Sequence, residues 1–292
     1  MTTKTNNHHS TMKGSQQMTN ENGMSIRTVV ILSGGQDSTT CLYWAIQQFH
    51  GAKHVAAVTF DYQQLHRREI EAATIIAKMA AIASHEVIPL GPVLHGTSPL
   101  VTNDLDSLET YKDYNEMNEV IGSRIERTFV PMRNALFITI AANRAIALGA
   151  QSLVTGVCEM DNANYPDCRD DFIYSQVKSI NLALGNETNS FQIYAPLMFM
   201  SKAETIGLAT RLPGCMEALA YSHTAYDGGY PPTSKDHAST LRAQGFLEAM
   251  VPDPLVVRAW REGLMPLPGS PNYDRLREGA GQPPNDRETP VP

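Results

Sequence analysis

Six consecutive residues, Ser33-Gly34-Gly35-Gln36-Asp37-Ser38, follow directly on the apolar run Val29-Val30-Ile31-Leu32. Residue types in this order suit the gripping of a phosphate chain. Gly34 and Gly35 carry no Cβ, so their backbone N–H groups can approach an anion and adopt conformations that other residues resist. A helix predicted over 39 to about 49 would aim its unsatisfied N–H groups and positive dipole end at the same place. Ser33 and Ser38 add hydroxyl donors, and Leu32 and Thr39 flank the turn. Asp37 makes sense inside an anion cradle when Mg²⁺ bridges it to the phosphates. The spacing excludes a Walker loop, which ends in Gly-Lys-Ser/Thr, and a dinucleotide fingerprint of three spaced glycines.

The run resembles instead the pyrophosphatase-type loop of enzymes that cleave ATP, release pyrophosphate and leave AMP on a substrate oxygen. ATP contacts are therefore expected from Leu32, Ser33, Gly34, Gly35, Gln36, Asp37, Ser38 and Thr39, and from Phe60 and Asp61 at the end of a second apolar run.

A second cluster runs from Gly156 to Asp170 and includes Glu159, Asp161, Tyr165, Asp167 and Arg169. Carboxylates at i and i+2 could accept from the adjacent N–H donors of a guanine-like edge. Arg169 could hold a substrate carboxylate bidentately. A solvated acidic loop ahead of a helix starting near Asp170 is the plainer alternative. Arg133 and Asn134 precede a helix in the same way, Asn134 as an N-cap and Arg133 as a phosphate or carboxylate partner. Lys202 follows Ser201 at another helix start, an ordinary surface lysine unless it faces the loop.

Strands are predicted at 29–32, 55–60, 86–90 and 152–156, and helices at 39–49, 67–83 and 134–148. The helix at 67–83 shows Ile70, Ala73, Ile76 and Ala77 at helical spacing. Alternation of this kind implies an α/β fold with a doubly wound parallel sheet. Ligands bind such sheets at the C-terminal ends of strands, so Ser33, Asp61 and Gly156 should converge. Residues 91–121 carry little apolar periodicity and read as an excursion or lid. The expected organisation is a disordered tail at 1–24, an ATP-binding domain at 25–212, a small helical region at 213–262 and a Pro-rich, loosely draped tail at 263–292.

The net charge is −7 without a lysine or arginine cluster, which argues against a nucleic-acid surface. No apolar run approaches the ~20 residues that cross a bilayer, and the N-terminal stretch lacks the apolar core of a signal peptide. Cys41, Cys158, Cys168 and Cys215 are scattered without a CxxC pair, which fits a reduced, cytoplasmic protein.

With these residues in hand the chain resembles the 7-cyano-7-deazaguanine synthases, the QueC type. The resemblance rests on the loop, on Phe60-Asp61-Tyr62 with Gln64 and His66, and on Val130-Pro131 with Arg133-Asn134. It continues through Tyr165-Pro166-Asp167-Cys168-Arg169, Ala195-Pro196-Leu197 with Lys202, Ser222-His223-Thr224, and Leu241-Arg242 with Gly245-Phe246. It implies ATP and Mg²⁺ as cofactors and a homodimer. The implied substrates are a deazapurine acid and ammonia. The acid's carboxylate attacks the α-phosphate, ammonia displaces AMP to give an amide, and a second activation gives the nitrile. Ser33, Asp37, Arg133 and Lys202 are then the candidates for catalysis, and Arg133, Asn134, Glu159, Asp161, Tyr165, Asp167 and Arg169 for substrate binding. Glu159 or Asp161 could also take a proton from ammonium.

One departure stands out. Family members carry four cysteines near the C-terminal end that bind structural zinc, and the matching positions here are Ala225, Thr233, Asp236 and Ser239. No tetrahedral thiolate site can form from these, and no zinc is expected. Tyr221, Tyr226, Tyr230, Pro231-Pro232, Leu241 and Phe246 are the residues expected to pack in its stead. A different metal site from His223, Asp227, Asp236 and His237 is the lesser expectation. Gln63 and Leu65 also depart from the family's glycine and arginine. Two further readings compete: an enzyme that activates the same acid but conjugates it to a protein amine, and a tRNA sulfur-transfer enzyme. The second would need a persulfide, for which Cys158 and Cys168 are available, and a basic surface, which the charge denies it. An inactive binding protein is the remaining reading.

Overall fold

The computed structural model describes residues 25–279 except 65–66, 103, 161–163 and 187–189. Leu65, His66, Asp161 and residues 1–24 and 280–292 therefore lie outside the described residues.

Five strands form one parallel sheet in the order β3-β2-β1-β4-β5: β1 Thr28–Ile31, β2 Val55–Asp61, β3 Ser84–Pro89, β4 Ser152–Val154 and β5 Gln192–Tyr194. β1 pairs β2 in the register Val30↔Ala57 and β4 in the register Val30↔Val154. The order reverses between β1 and β4, which opens a crevice at their C-terminal ends.

Helices cover both faces: α1 Gln36–Gln48, α2 Arg68–Met79, α3 Pro99–Thr102, α4 Tyr114–Ile121, α5 Arg133–Ala147, α6 Asp170–Ala183 and α7 Lys202–Ala209. Four more follow: α8 Cys215–Leu219, α9 His237–Glu248, α10 Pro254–Arg261 and α11 Asp274–Gly279. Strand side chains alternate between faces. Val30, Ala57 and Val154 join α1, α2, α7 and α8 in one core, while Val29, Val58 and Leu153 join α5 and α6 in the other. Covering both faces explains why the central strands β1, β2 and β4 read as apolar runs.

Several boundaries differ from the sequence expectation. α1 begins at Gln36, three residues early, which puts Asp37 in its first turn. α2 stops at Met79, because Ala81 turns into the left-handed region at φ 50°. Residues 91–121 contain α4, whose Met117 and Ile121, one turn apart, are fully buried. β5 was not expected at all; it is three residues long and two of its side chains are exposed. Residues 263–279 carry α11 and bury Tyr273, whose hydroxyl accepts from the Asp253 amide at 3.2 Å.

The region where the family's cysteines would lie is held by hydrogen bonds. Asp236 is buried at the N-cap of α9, and its carboxylate accepts from the amides of Ser239 (2.8 Å) and Tyr226 (2.7 Å) and from the Ser234 hydroxyl (2.9 Å). One carboxylate thus ties together the segments around Ala225, Thr233 and Ser239. Behind it, Arg242 forks onto Asp253 at 2.6 and 2.8 Å, both side chains 5% exposed, and donates to Ser222 and Thr224. Arg258 stacks between Tyr221 and Tyr230 at 4.5 and 4.9 Å. The residues at the cysteine positions do not fit zinc, and among the described residues no three His, Cys, Asp or Glu side chains are grouped to hold any metal.

Candidate active site

The crevice at the sheet's switch point is a cavity of about 320 Å³, the size of a small-molecule site. The loop between β1 and α1 forms its floor. Gly35 is the N-cap of α1 and no side chain caps the helix, so the first-turn amides stay available to an anion. Hydroxyls brace the loop: Ser33 Oγ lies 3.0 Å from Ser38 Oγ, Ser38 Oγ accepts from the Ser33 amide at 3.2 Å, and Thr39 donates to the Gly35 carbonyl at 2.7 Å.

Two glycines are required here. Gly34 has φ +88°, and a Cβ on it would fall 2.2 Å from the Glu69 carbonyl. A Cβ on Gly156, at the end of β4, would fall 3.0 Å from the Ser38 amide. The loop is wedged between α2 and β4 and pinned from behind by the His223 amide, which donates to the Gly34 carbonyl at 2.9 Å.

Asp37 receives both hydrogen bonds of the Lys202 ammonium, at 2.9 and 3.1 Å. Lys202 opens α7 behind the Ser201–Glu204 capping box and is 9% exposed. It therefore does face the loop. Gly245 of α9 admits its stem, since a Cβ there would fall 2.5 Å from Lys202 Cγ.

The walls come from the other strand ends. Phe60 stacks on Phe137 with centroids 4.3 Å apart, and Tyr62 sits 5.3 Å from the same ring. Arg133 enters from α5 and is hydrogen-bonded to Tyr62. Burial works against its charge, but the oxygens of Tyr62, Tyr165 and Tyr226 and the Asp167 carboxylate hold its pKa above the ordinary value. Tyr165 lies 2.5 Å from the Thr128 hydroxyl and donates to the buried Glu126 at 3.0 Å, and burial raises its pKa well above normal.

The structure brings Leu32, Ser33, Gly35, Gln36, Asp37, Ser38, Phe60, Arg133, Asn134, Glu159, Tyr165 and Arg169 onto the cavity wall. Gly34 and Thr39 shape the loop from behind. Asp61 is not part of the cavity wall, and its carboxylate lies 3.2 Å from Arg67; Ser33 and Gly156 meet on the wall without it. Asn134 is not the cap of α5. Met132 takes that place with φ 66°, which starts the helix at Arg133, and the Asn134 side chain donates instead to the Asp167 carbonyl at 3.2 Å. The Asp167 carboxylate accepts from the Asn134 amide at 3.3 Å, which joins the acidic segment to α5. Glu159 is engaged by Arg169 at 3.8 Å and by the Asp170 amide at 3.2 Å.

The sequence reading missed Glu69. It lies on the apolar side of α2, one turn before Ala73, and lines the cavity beside Arg133. Burial raises its pKa from 4.5 to about 7, with Arg133 pulling down and Asp236 pushing up. A carboxylate at i before buried residues at i+4 and i+7 was the available signal. His223, Tyr226 and His237 were missed as wall residues too.

A family profile described as queuosine biosynthesis protein QueC matches residues 27–250. The 7-cyano-7-deazaguanine synthase of Laribacter hongkongensis is 44% identical over 230 residues, which cover 79% of this chain and 94% of that protein. The enzyme of the same name from Gloeobacter violaceus is 42% identical over 231 residues (78% and 95%), and that from Bacillus subtilis 37% over 228 (77% and 95%).

Proposed function

The chain belongs to the QueC family of queuosine biosynthesis proteins, and from that premise we propose that it is an ATP-dependent carbon–nitrogen ligase acting on 7-carboxy-7-deazaguanine. The observation that carries this is the uncapped N-terminus of α1 with the Asp37–Lys202 pair on the floor of a cavity that Arg133 enters.

The chemistry is chiefly the positioning of two reactants and neutralisation of charge. The amides of the first turn of α1 and the hydroxyls of Ser33 and Ser38 grip the phosphates that will leave. Lys202 sits one hydrogen bond behind Asp37 and adds positive charge on the same side. Asp37 is the residue that would hold Mg²⁺ together with phosphate oxygens, as Mg²⁺ sites commonly use one carboxylate plus the nucleotide; once bound, the ion would offset charge on the departing pyrophosphate. The aromatic wall of Phe60, Phe137 and Tyr62 suits a flat deazapurine, and Arg133 suits its carboxylate. Attack of that carboxylate on the α-phosphate gives the acyl adenylate and pyrophosphate. Ammonia then displaces AMP to give the amide, and a second activation, at the amide oxygen, gives the nitrile. Cys158 and Cys168 line the cavity but are tied to Met200 and Asn134, which does not favour sulfur transfer.

The test is incubation with the acid, ATP, Mg²⁺ and ammonia: the nitrile should appear by mass spectrometry with AMP and pyrophosphate. Amide alone, or adenylate alone, would favour the second reading, conjugation to a protein amine. The departure at Ala225, Thr233, Asp236 and Ser239 motivates that reading, because it sets this chain apart from the zinc-bearing pattern. The homodimer is proposed on the family resemblance and is checked by light scattering.

A further inference from the structure

Three carboxylates among the described residues line the cavity: Asp37, Glu159 and Glu69. Asp37 is committed to Lys202, and Glu159 to Arg169 and the Asp170 amide. Glu69 makes no hydrogen bond through its carboxylate to the described residues, though it feels the charges of Arg133 and Asp236. Its backbone is fixed, because its main-chain carbonyl packs against Gly34 of the loop. The residue thus stands beside the phosphate cradle, in a wall that includes Tyr62, Arg133 and Tyr226.

A nucleophile problem gives it a task. At neutral pH ammonia is almost wholly ammonium, which has no lone pair to offer. A carboxylate among aromatic rings attracts the cation, and a base able to take its proton must titrate near the working pH. We propose that Glu69 is the group that binds the incoming ammonium and accepts one proton from it, releasing neutral ammonia against the activated acyl carbon. This rests on the ligase reading above. In the step, an N–H bond of ammonium breaks to Glu69, the nitrogen lone pair forms the C–N bond, and the C–O bond to AMP breaks with its electrons. The second proton leaves the new amide nitrogen for solvent. Burial places Glu69 near 7, and the groups facing it are Arg133 from α5, Tyr62 after β2 and Asp236 at the cap of α9.

The experiment compares wild type with Glu69→Gln and Glu69→Asp, after thermal melts establish that each is folded. Acid-dependent ATP–pyrophosphate exchange reads activation alone, and turnover with ammonium or with hydroxylamine, which is uncharged at neutral pH, reads the second half. In Glu69→Gln, ammonium turnover should fall about 10²–10³-fold, exchange should fall by far less, and hydroxylamine should restore most of the loss. Its remaining ammonium turnover should climb with pH as free ammonia does, and Glu69→Asp should recover part of the rate. Equal loss with both nucleophiles overturns the proposal, as does a loss confined to exchange or to the KM for the acid, which would make Glu69 a reader of the deazapurine edge. Absence of exchange in the wild type would overturn the ligase reading itself, and Glu69's role with it.

Discussion

The cleft and the helices behind it treat their charges in opposite ways. Around α9 and α10 three buried charged side chains are matched: Arg242 is forked onto Asp253 and bonded to two hydroxyls, and Asp236 accepts three hydrogen bonds. In the cleft, Glu69 is left without a hydrogen bond from the described residues and titrates near 7. Saturated polar groups fix a shape, whereas unsaturated ones keep a proton or a charge exchangeable. The contrast separates what holds the molecule together from what is offered to a substrate.

Substitutions should respect that division. The largest effect is expected from Asp253→Ala, which strands the Arg242 guanidinium at 5% exposure and should cost about 3–5 kcal/mol in denaturant unfolding. Next comes Asp37→Asn, which keeps its shape; AMP formation should fall about 10²–10³-fold, while the melting temperature should fall by less than in Asp253→Ala, because Asn still offers Lys202 an acceptor and Asp37 is 27% exposed. A melt as low as that of Asp253→Ala would erase the distinction between the two regions. Asp236→Ala removes a cap and two other anchored bonds, and should cost roughly 1–3 kcal/mol with nucleotide affinity nearly kept.

Smaller still is a pH effect. Glu69 is raised on folding, so the folded chain binds its proton more tightly than the unfolded one. Stability from this group is complete below 4.5 and declines as pH rises to about 7. Glu69→Gln should therefore gain on wild type across that window and run parallel above it. The smallest expected effect is none: a chelator should leave the melting temperature unmoved, since Asp236 occupies the place of a metal centre, and a drop of many degrees would refute this.

The cradle was legible in the sequence because each of its residues is there for a different reason, and few other loops need two glycines, two serines and a carboxylate in that order. The sheet was legible because strands buried on both faces read as solid apolar runs. Asn134 misled because a residue of the preferred capping type stands where a cap is wanted, whereas the left-handed Met132 moved the start of α5. Glu69 escaped notice because a charge near a helix start is ordinarily solvated, and only the sheet order shows that this turn faces the crevice. β5 was too short and too polar for periodicity to register.

The bare backbone at Gly245 has a wider meaning. It is the point at which α9 lets α7 come close enough for the Lys202 ammonium to meet Asp37. What lies behind the crevice therefore acts as a gauge for it, with one absent methyl setting the clearance. A protein of this design is free to exchange the material that stiffens its rear helices, provided that gap keeps its width.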